Sequence, residues 1–520
     1  MPIGRAWGAV LGGVEGMSVQ VEADLTRGIP SVGVIGLPDT AVAEARWRVR
    51  SAIEHTIGAW PSARLTIGLS PADTPKQGTT LDLAIAVAVL RASGITVSAD
   101  RSSNTTSPNR DWAFIGELGL DGTVRSVRGM LPCALAAHAA GHVGIYVPTH
   151  NAQEAAIVPG LKVRAVSDLG HLIQVLAGTA EPHQPTAGHA VNSTACGSNA
   201  GVDRVDLADV RGHAAGRMML EVAAAGGHHM LLTGSPGVGK TLLAQCLPAL
   251  LPDLDPVTAL QATSIASAVG EQIHGVRHRP PFIAPHHASS SAAMLGTARG
   301  RMVLPGAFTQ AHGGVLFLDE APEFARPCLE ALRQPLESGR IHLLRAGATV
   351  YLPARFQLVV AANPCPCGLG SGRGEHCHCT PMARRRYSER ISGPLLDRID
   401  LRLEVTDPLR GTGGSGTGEG SAAVAERVLA ARERSAQRLG DQPWSVNAQV
   451  PGAHLRKHWP LDAEGAAVLA QAERGGLSLR GADRVLRVAW TLADLQGCER
   501  PGTQHLHTAL AMRGWQAAGG

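Results

Sequence analysis

Aromatic side chains make up only 3% of the 520 residues. The cores must therefore rest on Ala, Val and Leu, and stacking platforms for the bases of single-stranded nucleic acid are scarce. Neither sign of charge dominates: 47 Lys+Arg face 43 Asp+Glu, a formal net charge of +4. That excludes a chain that coats nucleic acid through bulk charge, while leaving room for a local basic channel. No run approaches the ~18–20 apolar residues of a membrane span, since Leu81–Leu90 is short and interrupted by Asp82. No basic-plus-apolar leader opens the chain, so a cytoplasmic protein without a membrane partner is expected. The nine cysteines are odd in number and four fall within fifteen residues. A disulfide framework would be spread more evenly, which favours a reducing compartment.

What is present is ordered in blocks. The length suggests about three domains. Residues 178–203 are rich in Gly, Ala, Ser, Thr, Pro and Asn without an apolar period, and residues 411–421 are nearly pure Gly, Ser and Thr. Both read as linkers. They leave three units: residues 1–177, 204–410 and 422–520. In the first, β-rich runs (Val32–Leu37, Leu65–Leu69) alternate with helical patterns (Leu81–Leu90, Leu131–Ala140), giving a mixed α/β unit. In the second, apolar strands at His229–Thr233, Gly314–Leu318 and Phe356–Ala361 alternate with helices, which predicts an α/β core with a parallel sheet. The third is helical throughout, at Ala422–Leu439, Asp462–Arg474 and Arg480–Gln496.

Gly234-Ser235-Pro236-Gly237-Val238-Gly239-Lys240-Thr241 matches G-x-x-x-x-G-K-[ST] at every fixed position. An apolar strand precedes it and a helix follows, the context that a phosphate-binding P-loop requires. Backbone N–H groups at a helix N-terminus favour phosphate. Lys240 is expected to reach the β- and γ-phosphates of ATP, and Thr241 to ligate Mg²⁺. Further on, the apolar run Val315–Leu318 ends in Asp319-Glu320. Asp319 is expected to hold the Mg²⁺ shell and Glu320 to activate the attacking water. The strand Phe356–Ala361 then delivers Asn363 to the same sheet edge, where its amide can position the water. Arg398, in Leu395-Leu-Asp-Arg398-Ile-Asp, is a candidate arginine finger for a neighbouring subunit, with a surface salt bridge as the alternative.

These blocks, together with Pro285–Gly296 (PHHASSSAAMLG), Val315–Phe324 (VLFLDEAPEF), Ala361–Gly368 (AANPCPCG) and Ile391–Leu401 (ISGPLLDRIDL), resemble the YifB/ComM family of magnesium-chelatase-like AAA+ proteins over nearly the whole chain. The resemblance implies a Lon-protease-like N-terminal unit, a P-loop AAA+ core and a helical C-terminal lid. It implies a homo-oligomeric, hexameric ATP-driven motor acting on single-stranded or branched DNA, since ComM proteins are helicases that promote branch migration in natural transformation. It also places a nucleotide-sensing arginine at Arg480, with Arg484 second, and sets Trp490 where relatives carry a basic residue. A chelatase-type motor subunit, driving metal insertion or remodelling a protein partner, is the alternative; a non-enzymatic scaffold is opposed by Lys240, Asp319, Glu320 and Arg398.

In the N-terminal unit, Thr74–Thr80 and Gly116–Gly122 resemble the Lon protease domain, whose Ser–Lys dyad acts covalently. Thr80 stands at the serine position and Leu131 at the lysine position, so proteolysis is not expected; Lys76 reads as a solvated surface residue. Cys365, Cys367, Cys377 and Cys379 form two C-x-C pairs joined by a Gly-rich loop, which could hold one Zn²⁺ through four thiolates or remain free thiols. His376 and His378 are spare ligands. His286 and His287 are expected on an inserted loop facing a ring pore. Arg299, Arg301 and Arg345 are candidate phosphate contacts, with Arg340–Tyr351 as a hairpin into the channel.

Overall fold

The computed structural model describes residues 3–74, 76, 78–95, 112–184, 205–299, 302–345, 348–370, 377–406 and 418–515. Most of both expected linkers therefore falls outside the described residues, as do His376 and Arg301.

The first 177 residues form a seven-stranded mixed sheet: β1 (Gly4–Gly12), β2 (Glu15–Thr26), β3 (Ser31–Ile35), β4 (Arg64–Ser70), β5 (Ala113–Phe114), β6 (Gly144–Pro148) and β7 (Lys162–Val166), in the order β3-β4-β2-β1-β5-β6-β7. The pairs β1/β2 and β2/β4 are antiparallel and the others parallel. Alternation along β2 and β4 sends Val19, Val21, Ala23, Leu65, Ile67 and Leu69 inward, as the two-residue strand period requires. They pack on helices Thr40–Ile57 and Asp82–Ala92, the second of which is buried on nearly every side. Asp82 inside that helix is tolerated because Arg48 grips its carboxylate at 2.7 and 2.9 Å. Even so, burial pushes Asp82 up to about 6.

The second unit carries a five-stranded, fully parallel sheet: β8 (Met230–Thr233), β9 (Phe282–Ile283), β10 (Val315–Leu318), β11 (Gln357–Ala362) and β12 (Leu401–Glu404). The order β9-β10-β11-β8-β12 places the P-loop strand between β11 and β12. Strands β10 and β11 are buried at every residue, which explains why they read as continuous apolar runs instead of alternating ones. Two antiparallel hairpins leave this sheet, Gly296–Arg299 with Met302–Pro305 and Arg340–Arg345 with Ala348–Pro353. The second matches the hairpin expected at Arg340–Tyr351.

The C-terminal part is helical, at Ser421–Leu439, Gly452–His458, Ala463–Arg474, Leu479–Gln496 and Thr503–Met512. Its apolar faces share one core with one side of the parallel sheet, where Val428, Val485, Leu486 and Ala489 meet Leu220, Leu243, Leu247 and Val359. The N-terminal unit is joined to the other side: Val14, at the β1–β2 turn, enters the cluster of Val303 and Leu352 from the two hairpins. A second joint is polar. Gly129 N–H donates to Ser267 O at 3.1 Å, and buried Glu154 accepts from the Ser267 hydroxyl and from Leu131 N–H. No described helix is long and apolar enough to cross a membrane.

Candidate functional site: a nucleotide site at one sheet edge

Strand register decides which side chains meet. Leu232 pairs with Ala361, Thr233 with Ala362, and Leu318 with Val360, so β8, β10 and β11 end level with one another. The residues that follow, Gly234, Asp319 and Asn363, therefore emerge at one edge. Gly239, at φ 92, turns the loop into helix Lys240–Leu250, a conformation open to glycine at little cost.

Lys240 is folded back into this corner. Its Nζ donates to Gly234 O (2.8 Å), Ser235 O (2.9 Å) and Asn363 Oδ1 (3.1 Å). Burial lowers its pKa from the usual lysine value, opposed by the carboxylates of Asp319 and Glu320. Thr241 Oγ1 donates to Asp319 Oδ2 at 2.8 Å, and Glu320 N–H donates to Asp319 Oδ1 at 2.9 Å. A hydroxyl touching a carboxylate at the head of a helix, beside a buried lysine, is a donor set suited to Mg²⁺ and a triphosphate. Thr241 and Asp319 would hold that Mg²⁺, which supplies charge neutralisation between phosphate oxygens.

Glu320 has left-handed backbone, φ 50 and ψ 43, which costs a non-glycine residue about 1–3 kcal/mol and is concentrated at functional sites. Its carboxylate lies 3.3 Å from His287 Nδ1. The pair His286-His287 follows β9, the neighbour of β10, and the two rings lie 4.1 Å apart. The structure sets His287 against Glu320, because β9 is parallel to β10 and ends at the same edge. His287 is thus a site residue that sequence reasoning missed, and only strand adjacency reveals it. His287→Ala is expected to lower kcat for ATP roughly 10- to 100-fold with little change in KM, since a misplaced catalytic group costs about that much. Steady-state phosphate release measures it, and an unchanged kcat would remove His287 from the machinery.

Arg398 and Arg480 are not at this edge. β12 begins where β8 begins, with Leu401 opposite Met230, so the preceding segment Asp397–Asp400 lies at the opposite end of the sheet from the P-loop. There Arg398 pairs with Glu337 and donates to Pro394 O at 2.7 Å. Arg480 lies 3.7 Å from Asp397, and Arg333, Arg480 and Arg484 all bear electrostatically on Arg398. Arg484 is committed elsewhere, to Asp400 at 2.7 Å. Asp400 also meets His228 (3.2 Å), which reaches Thr491 of the lid at 2.8 Å. Burial alone would raise the Asp400 carboxyl, but His228 and Arg484 hold it well below the carboxylate range. This buried network fixes the segment that carries Arg398 to helix Leu479–Gln496. Trp490, beside Thr491 on that helix, is fully buried with Arg438 stacked 4.4 Å over its ring, so it is a core residue.

In the N-terminal unit, the Thr80 hydroxyl donates to Ala9 O at 2.7 Å, and Leu131 is fully buried among apolar residues. Lys76 corrects the sequence reading. It is not solvated but fully buried, and its backbone pairs with Leu37 and Asp39. Its Nζ donates to Thr74 O at 2.6 Å, and burial lowers its pKa. The side chains of Arg299 and Arg345, at the tips of the two hairpins, lie outside the described residues.

Asn363 leads directly into the cysteine loop. The four sulfurs of Cys365, Cys367, Cys377 and Cys379 lie within 4.8 Å of one another. The separations Cys365–Cys367, Cys365–Cys377 and Cys367–Cys377 are 3.3, 3.5 and 3.6 Å, and all four are free thiols. Burial pushes Cys365 up to about 11, whereas the Leu369 N–H and the Cys365 thiol bring Cys367 down to about 6. His378 is exposed.

Residues 206–411 match the model of magnesium chelatase, subunit ChlI; residues 21–151 match subunit ChlI of Mg-chelatase; and residues 418–513 match its C-terminal part. An uncharacterized protein of Mycobacterium tuberculosis is 45% identical over 99% of both chains. YifB of Escherichia coli is 40% identical over 96% of this chain and 95% of its own. The competence protein ComM of Haemophilus influenzae is 39% identical over the same shares. With those identities spanning N-terminal unit, P-loop core and helical lid alike, the chain belongs to the YifB/ComM family of magnesium-chelatase-like AAA+ proteins.

Proposed function

We propose that this protein is a cytoplasmic, ATP-hydrolysing ring motor, a DNA-remodelling helicase that drives branch migration. One observation carries the motor: Lys240, Thr241, Asp319, Glu320 and Asn363 gather at one sheet edge, while Arg398 and Arg480 sit at the other. Such a chain has half of an ATP site at each end, and a closed ring of copies, taken here as a hexamer, joins the halves. Arg398 then serves as the finger on the neighbour's γ-phosphate. Arg480, the nucleotide-sensing arginine, serves beside it.

Within a subunit, Lys240 and the P-loop hold the phosphates, Thr241 and Asp319 hold Mg²⁺, and Asn363 orients the water whose proton Glu320 takes. The DNA reading is supported by the likeness to a competence protein and by the two hairpins, whose strands end at Arg299 and Arg345. Contact is mainly to the phosphate backbone, since aromatic residues are few. The N-terminal unit is an assembly platform without proteolysis: Leu131 has no lone pair with which to activate Thr80.

ATPase assays with single-stranded and forked DNA, and displacement of a synthetic four-way junction, test the reading. DNA is expected to stimulate hydrolysis and the junction to be resolved in an ATP-dependent manner. Hydrolysis indifferent to DNA, with no junction moved, would shift the assignment to the chelatase-type motor acting on a protein or metal substrate.

A further inference from the structure

The hairpin formed by Arg340–Arg345 and Ala348–Pro353 has two unlike faces. Side chains alternate along each strand, so Ile341, Leu343, Val350 and Leu352 share one of them. That face is turned to the N-terminal unit. Ile341 and Leu352 join the cluster that holds Val14, and a Cβ on Gly13 would lie 3.5 Å from both Leu352 and Val350. The opposite face carries Arg340, His342, Tyr351 and Pro353. His342 and Tyr351 pair directly across the strands, with ring centroids 4.7 Å apart and planes at 75°. Both residues are exposed, Tyr351 at 57%. An edge-to-face pair of this kind covers at most one face of the tyrosine ring, which leaves the other to solvent.

We propose that this outer face binds single-stranded nucleic acid, with a base stacked on Tyr351 and the adjoining phosphate paired with Arg340. The inference rests on the DNA reading above and adds to it a contact with the base itself. A cross-strand ring pair can serve only to hold a hairpin together. Here the buried inner face already does so, and the outer rings are left free for a ligand. Two cations stand beside them. Arg340 precedes His342 by two residues on the same face, about 7 Å along a strand. Arg355 follows the second strand, and its stem lies against Gly339, where a Cβ would fall 2.7 Å from Arg355 Cγ. Both arginines are exposed, and among the described residues neither is in an ion pair. The nearest acid along the chain from Arg340, Glu337, is taken by Arg398. An open aromatic face beside guanidinium groups with no counter-charge fits a base and its phosphate. An apolar partner would instead desolvate both cations without pairing them, which is costly. Every base has a π-face, so such a platform reads little sequence.

Fluorescence anisotropy of the full-length chain with labelled oligothymidine, beside an abasic strand of the same length, tests the platform. The abasic strand keeps every phosphate and loses every base. Wild-type protein is expected to bind oligothymidine roughly five- to a hundredfold more tightly than the abasic strand, the range for stacking on an aromatic ring. Tyr351→Ala should erase that difference and Tyr351→Phe should keep it, with both variants folded by circular dichroism because the ring is exposed. Arg340→Ala should weaken both strands alike and reduce the salt slope of log Kd by about 0.7, the value for one phosphate contact on a single strand. Equal wild-type affinity for the two strands, or a Tyr351→Ala protein that still prefers the bases, overturns the platform and leaves the DNA reading standing. If Tyr351→Ala breaks the assembly, seen by light scattering, while its chains keep the base preference, the face is a contact between copies and the proposal fails. Wild-type protein that binds neither strand overturns the platform and the DNA reading together.

Discussion

Replacing Glu320 by Gln is expected to leave ATP bound while hydrolysis falls about 10²- to 10⁴-fold, the range for loss of a general base. The two adjacent acids face different neighbours. Asp319 accepts from Thr241 Oγ1 and from Glu320 N–H, so its carboxylate is directed at the P-loop helix and the Mg²⁺ position. Glu320 is turned out of the strand direction by its left-handed backbone, and its carboxylate meets His287. Glutamine keeps that shape and can still accept a hydrogen bond at its amide oxygen, but it cannot take the water's proton at neutral pH. Lys240→Ala, by contrast, removes the ammonium from the phosphate cradle and is expected to abolish nucleotide binding itself. Equilibrium binding of a fluorescent ATP analogue, beside phosphate release, separates the two outcomes. Wild-type turnover by Glu320→Gln would show that another group is the base.

Arg398→Ala is expected to lower kcat about 10³- to 10⁵-fold, the contribution of an arginine finger, while ATP affinity stays near wild type. Because Arg398 lies at the sheet end remote from its own P-loop, the defect belongs to the neighbour's site. Mixed assemblies give the sharper readout. Arg398→Ala chains keep an intact P-loop, and Lys240→Ala chains keep an intact finger. Each alone is inactive, and mixing them should restore a fraction of the activity at the interfaces that combine the two intact halves. In the isolated chain Arg398 pairs with Glu337, so formation of the interface must exchange that partner for phosphate. An Arg398→Ala protein that hydrolyses ATP normally, or mixtures no more active than their parts, would reduce Arg398 to a structural ion pair.

The P-loop and its surroundings were legible in the sequence for a physical reason. Phosphate binding needs glycine where the chain turns sharply, a cation at a fixed offset and a helix immediately afterwards, all within one contiguous segment. Buried parallel strands likewise announce themselves as apolar runs, which located β8, β10 and β11 to within a residue or two and brought Asp319 and Asn363 to the expected edge. The lid helices were readable from their apolar period, although Trp490 proved to be a core residue packed under Arg438.

What stayed hidden depends on contacts between segments distant in the chain. Lys76 looked like any surface lysine, because its pairing with the distant Leu37–Asp39 turn leaves no local mark. His287 looked like a loop residue, because its nearness to Glu320 follows from β9 lying beside β10. The place of Arg480 stayed hidden too, because nothing local reveals that Asp397 and the start of β12 lie at the far end of the sheet. The sequence by itself determined the chemistry of the nucleotide site and the division into α/β and helical parts, since both are written in short-range patterns of residue type. Only the tertiary structure decided which end of the sheet each charged group occupies, since strand order and register join residues that no local pattern connects.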